Sequence, residues 1–95
     1  MGNRLQDKVA VITGSSSGLG RAIALAYAGE GALIVCADLK PEARSEIAAE
    51  AALHTDEAIR QSGGRAIFVK TDVSTAQDVR DLVVKTVSEF GRLDM

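Results

Sequence analysis

Three short apolar runs rich in Val and Ile, Val9 to Thr13, Ala32 to Ala37 and Ala66 to Val69, alternate with stretches whose apolar residues recur at helical spacing. Apolar runs this short and unbroken predict parallel strands buried on both faces. Between the first two, residues from about Leu19 to Glu30 place Ala22, Ile23, Ala26 and Tyr27 along one side of a helix, with Gly29 and Gly31 as its stop. A long Ala-, Glu- and Arg-rich stretch runs from Pro41 to Gln61 before Gly63 and Gly64 end it. Thr55 followed by Asp56 and Glu57 reads as an N-cap with acids in the first turn, which predicts two helices there with a break near His54. Ser74-Thr75-Ala76-Gln77 reads as a capping box, after which Val79, Leu82, Val83, Val87 and Phe90 form the apolar face of a helix that stops at Gly91. Residues 93–95 have the character of a fourth strand just opening. Strand and helix in strict alternation predict an α/β chain, a doubly wound parallel sheet with helices on both faces.

Composition narrows the function classes. The 95 residues suffice for one small domain with a modest core, and no repeat or linker divides them. Hydrophobic residues make up 46% and charged residues 25%, a balance that argues against disorder and against a membrane span. The net charge is −2 with both signs interspersed, so no basic stripe tracks a nucleic acid or an anionic membrane, and Tyr27, Phe68 and Phe90 are too few for base stacking. The single cysteine, Cys36, lies within an apolar run and reads as a packed hydrophobe; one cysteine excludes an internal disulfide and a cysteine-based metal site. Residues before Lys8 lack the apolar segment of a secretory signal, and Gln6 departs from the myristoylation pattern, so a cytoplasmic location is expected.

The candidate chemistry begins where the first strand ends. Thr13-Gly14-Ser15-Ser16-Ser17-Gly18-Leu19-Gly20 sets three glycines between a strand and a helix, where backbone N–H groups and the positive end of the helix can cradle a phosphate. Ser15, Ser16 and Ser17 offer hydroxyl donors, though serine-rich turns also form for turn chemistry alone. Asp38 closes the second strand at the place where a dinucleotide site carries its ribose-binding acid. A carboxylate there accepts from ribose hydroxyls and repels a 2′-phosphate, which favours NAD over NADP, with Lys40 and Arg44 as possible counter-charges. The alternative for Asp38 is a solvated loop acid. Asp72 and Val73 close the third strand, placed either to meet the adenine edge or, for Asp72, to cap the next helix.

Thr-Gly-x-x-x-Gly-x-Gly after the first strand, Asp38 after the second, Asp72-Val73 after the third and the closing Phe90-Gly91-Arg92-Leu93-Asp94 together resemble the short-chain dehydrogenase/reductases, from about Leu5 to Met95. The resemblance implies a Rossmann-like sheet of which residues 1–95 form the N-terminal part, ending as the fourth strand begins. It implies that Gly14, Gly18 and Gly20 shape the turn, that Ser16, Ser17 and Leu19 touch ribose or pyrophosphate, that Asp38 selects the 2′-hydroxyl and that Asp72 with Val73 holds adenine. It also implies an oxidoreductase that moves hydride between a nicotinamide and an alcohol or carbonyl compound. The family's catalytic Asn, Ser and Tyr-x-x-x-Lys have no counterpart in the chain, since Tyr27 has Gly31 four positions on and reads as packing. In the family's sheet order the first strand pairs with the fourth, so Val9 to Thr13 is expected to be a poorly covered edge, open to a second copy or a longer relative. Two other readings are a non-catalytic nucleotide-binding or dimerising module and a methyltransferase. Thr13 stands where methyltransferases usually carry an acid, which disfavours the last.

Overall fold

The computed structural model describes residues 4–40 and 53–95. Its elements are β1 (Val9–Thr13), α1 (Gly18–Gly29), β2 (Leu33–Asp38), α2 (Thr55–Gln61), β3 (Arg65–Lys70) and α3 (Ala76–Phe90). The three strands form one parallel sheet in the order β1-β2-β3, with Val9 beside Leu33 and Thr13 beside Ala37, then Leu33 beside Arg65 and Asp38 beside Lys70. Each strand starts and stops level with its neighbours. All three C-terminal ends therefore meet along one rim, the place where open α/β sheets take ligands.

Period-two alternation divides β2 between two cores. Ile34 and Cys36 join Ala10, Ala24, Ile59 and Ala66 under α1 and α2, while Val35 and Ala37 join Leu82 under α3. Helices thus cover both faces of the sheet, the condition under which strands become apolar throughout. The inner side of α1 is rotated from the expected one: Ala22 and Ala26 are exposed, and Ala24 and Ala28 pack on the sheet with Tyr27 at the margin of the first core. Burial pushes the Cys36 thiol up to about 12, against the pull of the Ser15 hydroxyl beside it, so it is a packing group.

Four further expectations change in detail. The capping box at Ser74 and Gln77 does not form. Thr75 is the N-cap residue of α3, Gln77 Nε2 donates to Asp81 at 2.8 Å, and Asp78 reaches back to accept the Asp72 N–H at 2.9 Å. Before α2 the N-cap is His54 rather than Thr55, with extended backbone, and Glu57 accepts the His54 N–H at 2.9 Å. A helix start at this point agrees with a break near His54, while the Pro41 end of that stretch and Arg44 lie outside the described residues. The apolar face of α3 buries Leu82 and Thr86, whereas Val79, Val83 and Val87 remain about 40% exposed. At 100° per residue, Val83 and Val87 fall on the shoulder of the stripe, past the line of contact with the sheet. Finally, the outer edge of β1 is partly covered. Val11 N–H donates to the Met95 carbonyl at 2.8 Å and Met95 N–H to the Val9 carbonyl at 3.0 Å, and Asp94 Oδ2 accepts the Val9 N–H at 2.8 Å.

Candidate cofactor site

Leaving β1, the chain turns through Gly14 at φ +64° and enters α1 at Gly18 with φ +60°, a left-handed conformation that costs an L-residue about 1–2 kcal/mol. Gly20 serves differently. It lies within α1, and a Cβ on it would stand 2.1 Å from the Gly14 carbonyl oxygen. Its requirement is close approach, not a positive φ, so the first turn of the helix rests directly on the loop it leaves. That contact keeps the N-terminal end of α1, with its partial positive charge, beside the end of β1. Around Gly14 and Gly18 a Cβ would meet nothing within 4 Å. The space beside these two glycines is open.

The serines divide by direction. Ser15 is fully buried beside Cys36, and the Ser16 hydroxyl donates to the Lys40 carbonyl, so neither hydroxyl faces that space. Ser17 is half-buried at the N-cap of α1, and Leu19 is 77% exposed on the first turn. The turn spends the Ser16 hydroxyl on its own backbone and buries the Ser15 hydroxyl against Cys36.

Asp38 is only 9% exposed, yet its carboxylate does not point into the core. Oδ2 accepts the Ser16 N–H at 3.1 Å and Oδ1 accepts the Leu39 N–H at 2.8 Å. Thr71 N–H donates to the Asp38 carbonyl at 2.8 Å, which ties the end of β2 to the end of β3. Asp72 folds back on the following loop, accepting the Ser74 N–H at 2.9 Å and the Ser74 hydroxyl at 2.6 Å. Those hydrogen bonds hold its carboxyl below the usual aspartate range.

Gly14, Asp38, Asp72 and Val73 line one cleft of about 320 Å³ at the C-terminal rim, together with Thr13, Ala37, Leu39 and Thr71. Leu39 and Thr71 escaped the sequence reading, although each adjoins an acid at a strand end. Ser16 meets this cleft through its hydrogen bond to Asp38, while Ser17, Gly18, Leu19 and Gly20 lie around the helix start. Among the described residues no cluster of metal-ligating side chains occurs, and no helix is long and apolar enough to cross a membrane.

The short chain dehydrogenase family model matches residues 8–95. The chain belongs to this family. It is 41% identical over 96% of its length to a short chain dehydrogenase/reductase of Aspergillus oryzae, covering 32% of that protein. It is 42% identical over 98% of its length to a 2,5-dichloro-2,5-cyclohexadiene-1,4-diol dehydrogenase of Sphingobium indicum, covering 34% of it. Among solved structures, a hydroxysteroid dehydrogenase from Escherichia coli superposes with a TM-score of 0.81 at 33% identity, over 96% of this chain and 35% of that one. The chain thus spans about a third of the length of the relatives it matches. The parallel sheet and these likenesses make it a Rossmann-like α/β fragment corresponding to the N-terminal part of the family fold. The family uses NAD(P).

Proposed function

We propose that this chain holds NAD along the C-terminal rim of its sheet, as the coenzyme-binding portion of an oxidoreductase acting on an alcohol or its carbonyl partner. The observation that carries the reading is the joint placement of a glycine turn under a helix start and an oriented carboxylate 9% exposed at the next strand end. The diphosphate would rest on the N–H groups at Gly18, Leu19 and Gly20, with Ser17 beside them. Asp38 would accept from the adenosine ribose, since a carboxylate oxygen that already holds an N–H still accepts a second donor. Asp72 and Val73 would border adenine in the same cleft. When bound, NAD supplies a nicotinamide carbon that accepts or donates hydride; the residues of this chain bind and orient the adenosine end.

NAD is favoured over NADP because a 2′-phosphate would meet the Asp38 charge, and because the Ser16 N–H and hydroxyl are engaged by Asp38 and Lys40. Relatives named for dehydrogenating a cyclohexadiene diol and a hydroxysteroid support an alcohol as the substrate class. Our reading of the cell compartment is cytoplasmic. Titration calorimetry of the chain with NAD and NADP tests the proposal, with Asp38→Ala as control. NAD should bind more tightly than NADP, and the Ala variant should lose about tenfold in NAD affinity, the size of a hydrogen bond to a charged group. Folded wild-type chain that ignores NAD would refute it.

A further inference from the structure

Thr55 opens α2, forty positions beyond the glycine turn, yet it is 2% exposed and its hydroxyl donates to the Ser15 carbonyl at 2.6 Å. Behind it stands Arg21, 6% exposed on the first turn of α1, whose Nη1 donates to the Leu53 carbonyl at 2.8 Å and reaches Thr55 Oγ1 at 3.4 Å. The carbonyl held by Thr55 belongs to the same peptide unit as the Ser16 N–H, and that N–H donates to Asp38 Oδ2 at 3.1 Å. A peptide unit is planar, so fixing its oxygen fixes the direction of its N–H. One rigid plate therefore has Thr55 on one edge and the Asp38 carboxylate on the other.

We infer that Thr55, backed by Arg21, is a positioning residue that aims Asp38 at the ribose of the coenzyme and so sets the preference for NAD over NADP. The inference rests on the reading that Asp38 meets that ribose. Without the Thr55 hydroxyl, the Ser15 carbonyl loses a buried donor and the peptide is free to rotate, which releases the Ser16 N–H from Asp38. A carboxylate that keeps the Leu39 N–H but loses the Ser16 N–H turns more freely about its remaining contact, accepts less well from the ribose hydroxyls and opposes a 2′-phosphate less. Affinity for NAD then falls while affinity for NADP holds or rises, a pattern that general loosening of the fold would not produce.

Titration calorimetry with NAD and with NADP on wild type, Thr55→Val and Thr55→Ser tests this. Thr55→Val keeps the shape and removes the hydroxyl, and is expected to weaken NAD about tenfold and to cut the NAD over NADP preference by about the same factor. Thr55→Ser keeps the hydroxyl and is expected to stay within about twofold of wild type on both measures. An unchanged preference in Thr55→Val, or an equal loss in both variants, overturns the inference. Should Thr55→Val fail to fold, Arg21→Met takes its place with a smaller loss of preference in the same direction, and an unchanged preference there counts against the proposal. Wild type that binds no NAD overturns the underlying reading instead, which separates the two failures.

Discussion

Alanine placed at two glycines of the same helix is expected to change stability in opposite directions. In a helix interior, Gly to Ala gains about 0.5–1 kcal/mol, because alanine has less backbone freedom to lose. Gly29 is the last residue of α1 and a Cβ there meets nothing within 4 Å, so Gly29→Ala should keep part of that gain. At Gly20 the Cβ would stand 2.1 Å from the Gly14 oxygen and 2.6 Å from the Gly14 carbonyl carbon. Both are backbone atoms and neither can swing aside. The first turn of α1 and the loop must separate by about 1.3 Å to reach ordinary contact. Overpacking of this kind costs about 1–3 kcal/mol, which offsets the helical gain and leaves a net loss of up to about 2.5 kcal/mol.

Thermal unfolding followed by circular dichroism reads both effects. In a domain of this size one kcal/mol moves Tm by about 4–8 °C, so Gly20→Ala should melt several degrees below wild type and Gly29→Ala slightly above. Coenzyme binding should divide the same way. A helix start displaced by about 1 Å no longer presents its N–H groups together with the turn, so Gly20→Ala should lose at least tenfold in NAD affinity while Gly29→Ala keeps it. A Gly20→Ala chain that melts at or above wild type would refute the argument that the helix rests on the loop.

Two further outcomes follow from buried and paired groups. Cys36, with its thiol pushed up to about 12, should resist an aromatic disulfide reagent at pH 8 in the folded chain and react at once in denaturant; fast labelling of native protein would contradict the packing described for β2. Asp94 is held below the usual aspartate range by the Arg92 side chain at 2.7 Å and the Val9 N–H, so its contribution is present above about pH 4 and is lost as pH falls through its lowered pKa. Asp94→Asn should accordingly flatten the acid limb of the stability curve below about pH 4, and an acid limb as steep as that of wild type would count against the contact.

Strand positions were legible because β2 is sandwiched between two cores. With Ile34 and Cys36 under one layer and Val35 and Ala37 under the other, every position is apolar and the run stands out in the sequence. The rim followed from topology, since parallel strands in register bring residues such as Gly14, Asp38 and Asp72 to one edge wherever they fall in the chain. What sequence could not carry is the direction in which a short polar side chain turns. Ser16 gives its hydroxyl to Lys40, and Asp78 rather than Gln77 reaches back over the start of α3. Both choices depend on neighbours brought in by folding, and local spacing holds no record of them. The shoulder of α3 failed for a related reason: periodicity marks which residues share a helix face but not how wide a strip the sheet can cover. Thr55 read as a cap for its own helix, and only the fold shows its hydroxyl spent on a loop forty positions earlier.

These placements bear on how one rim can take a ligand that is charged in one part and neutral in the next. The start of α1 carries partial positive charge, which on the proposed reading would meet a diphosphate. The Asp38 carboxylate, on the neighbouring strand, would oppose a diphosphate bound there unless its own field were offset. The N–H groups of Ser16 and Leu39 supply that offset, and they also fix where the carboxylate points. On the proposed reading the rim is split into a place that favours phosphate and a place that rejects it. A dinucleotide with a free ribose hydroxyl would satisfy both at once, whereas a 2′-phosphate would put charge on the side that rejects it. Discrimination on this account depends on keeping the two places distinct, and so on the rigidity of the Ser15–Ser16 peptide between them.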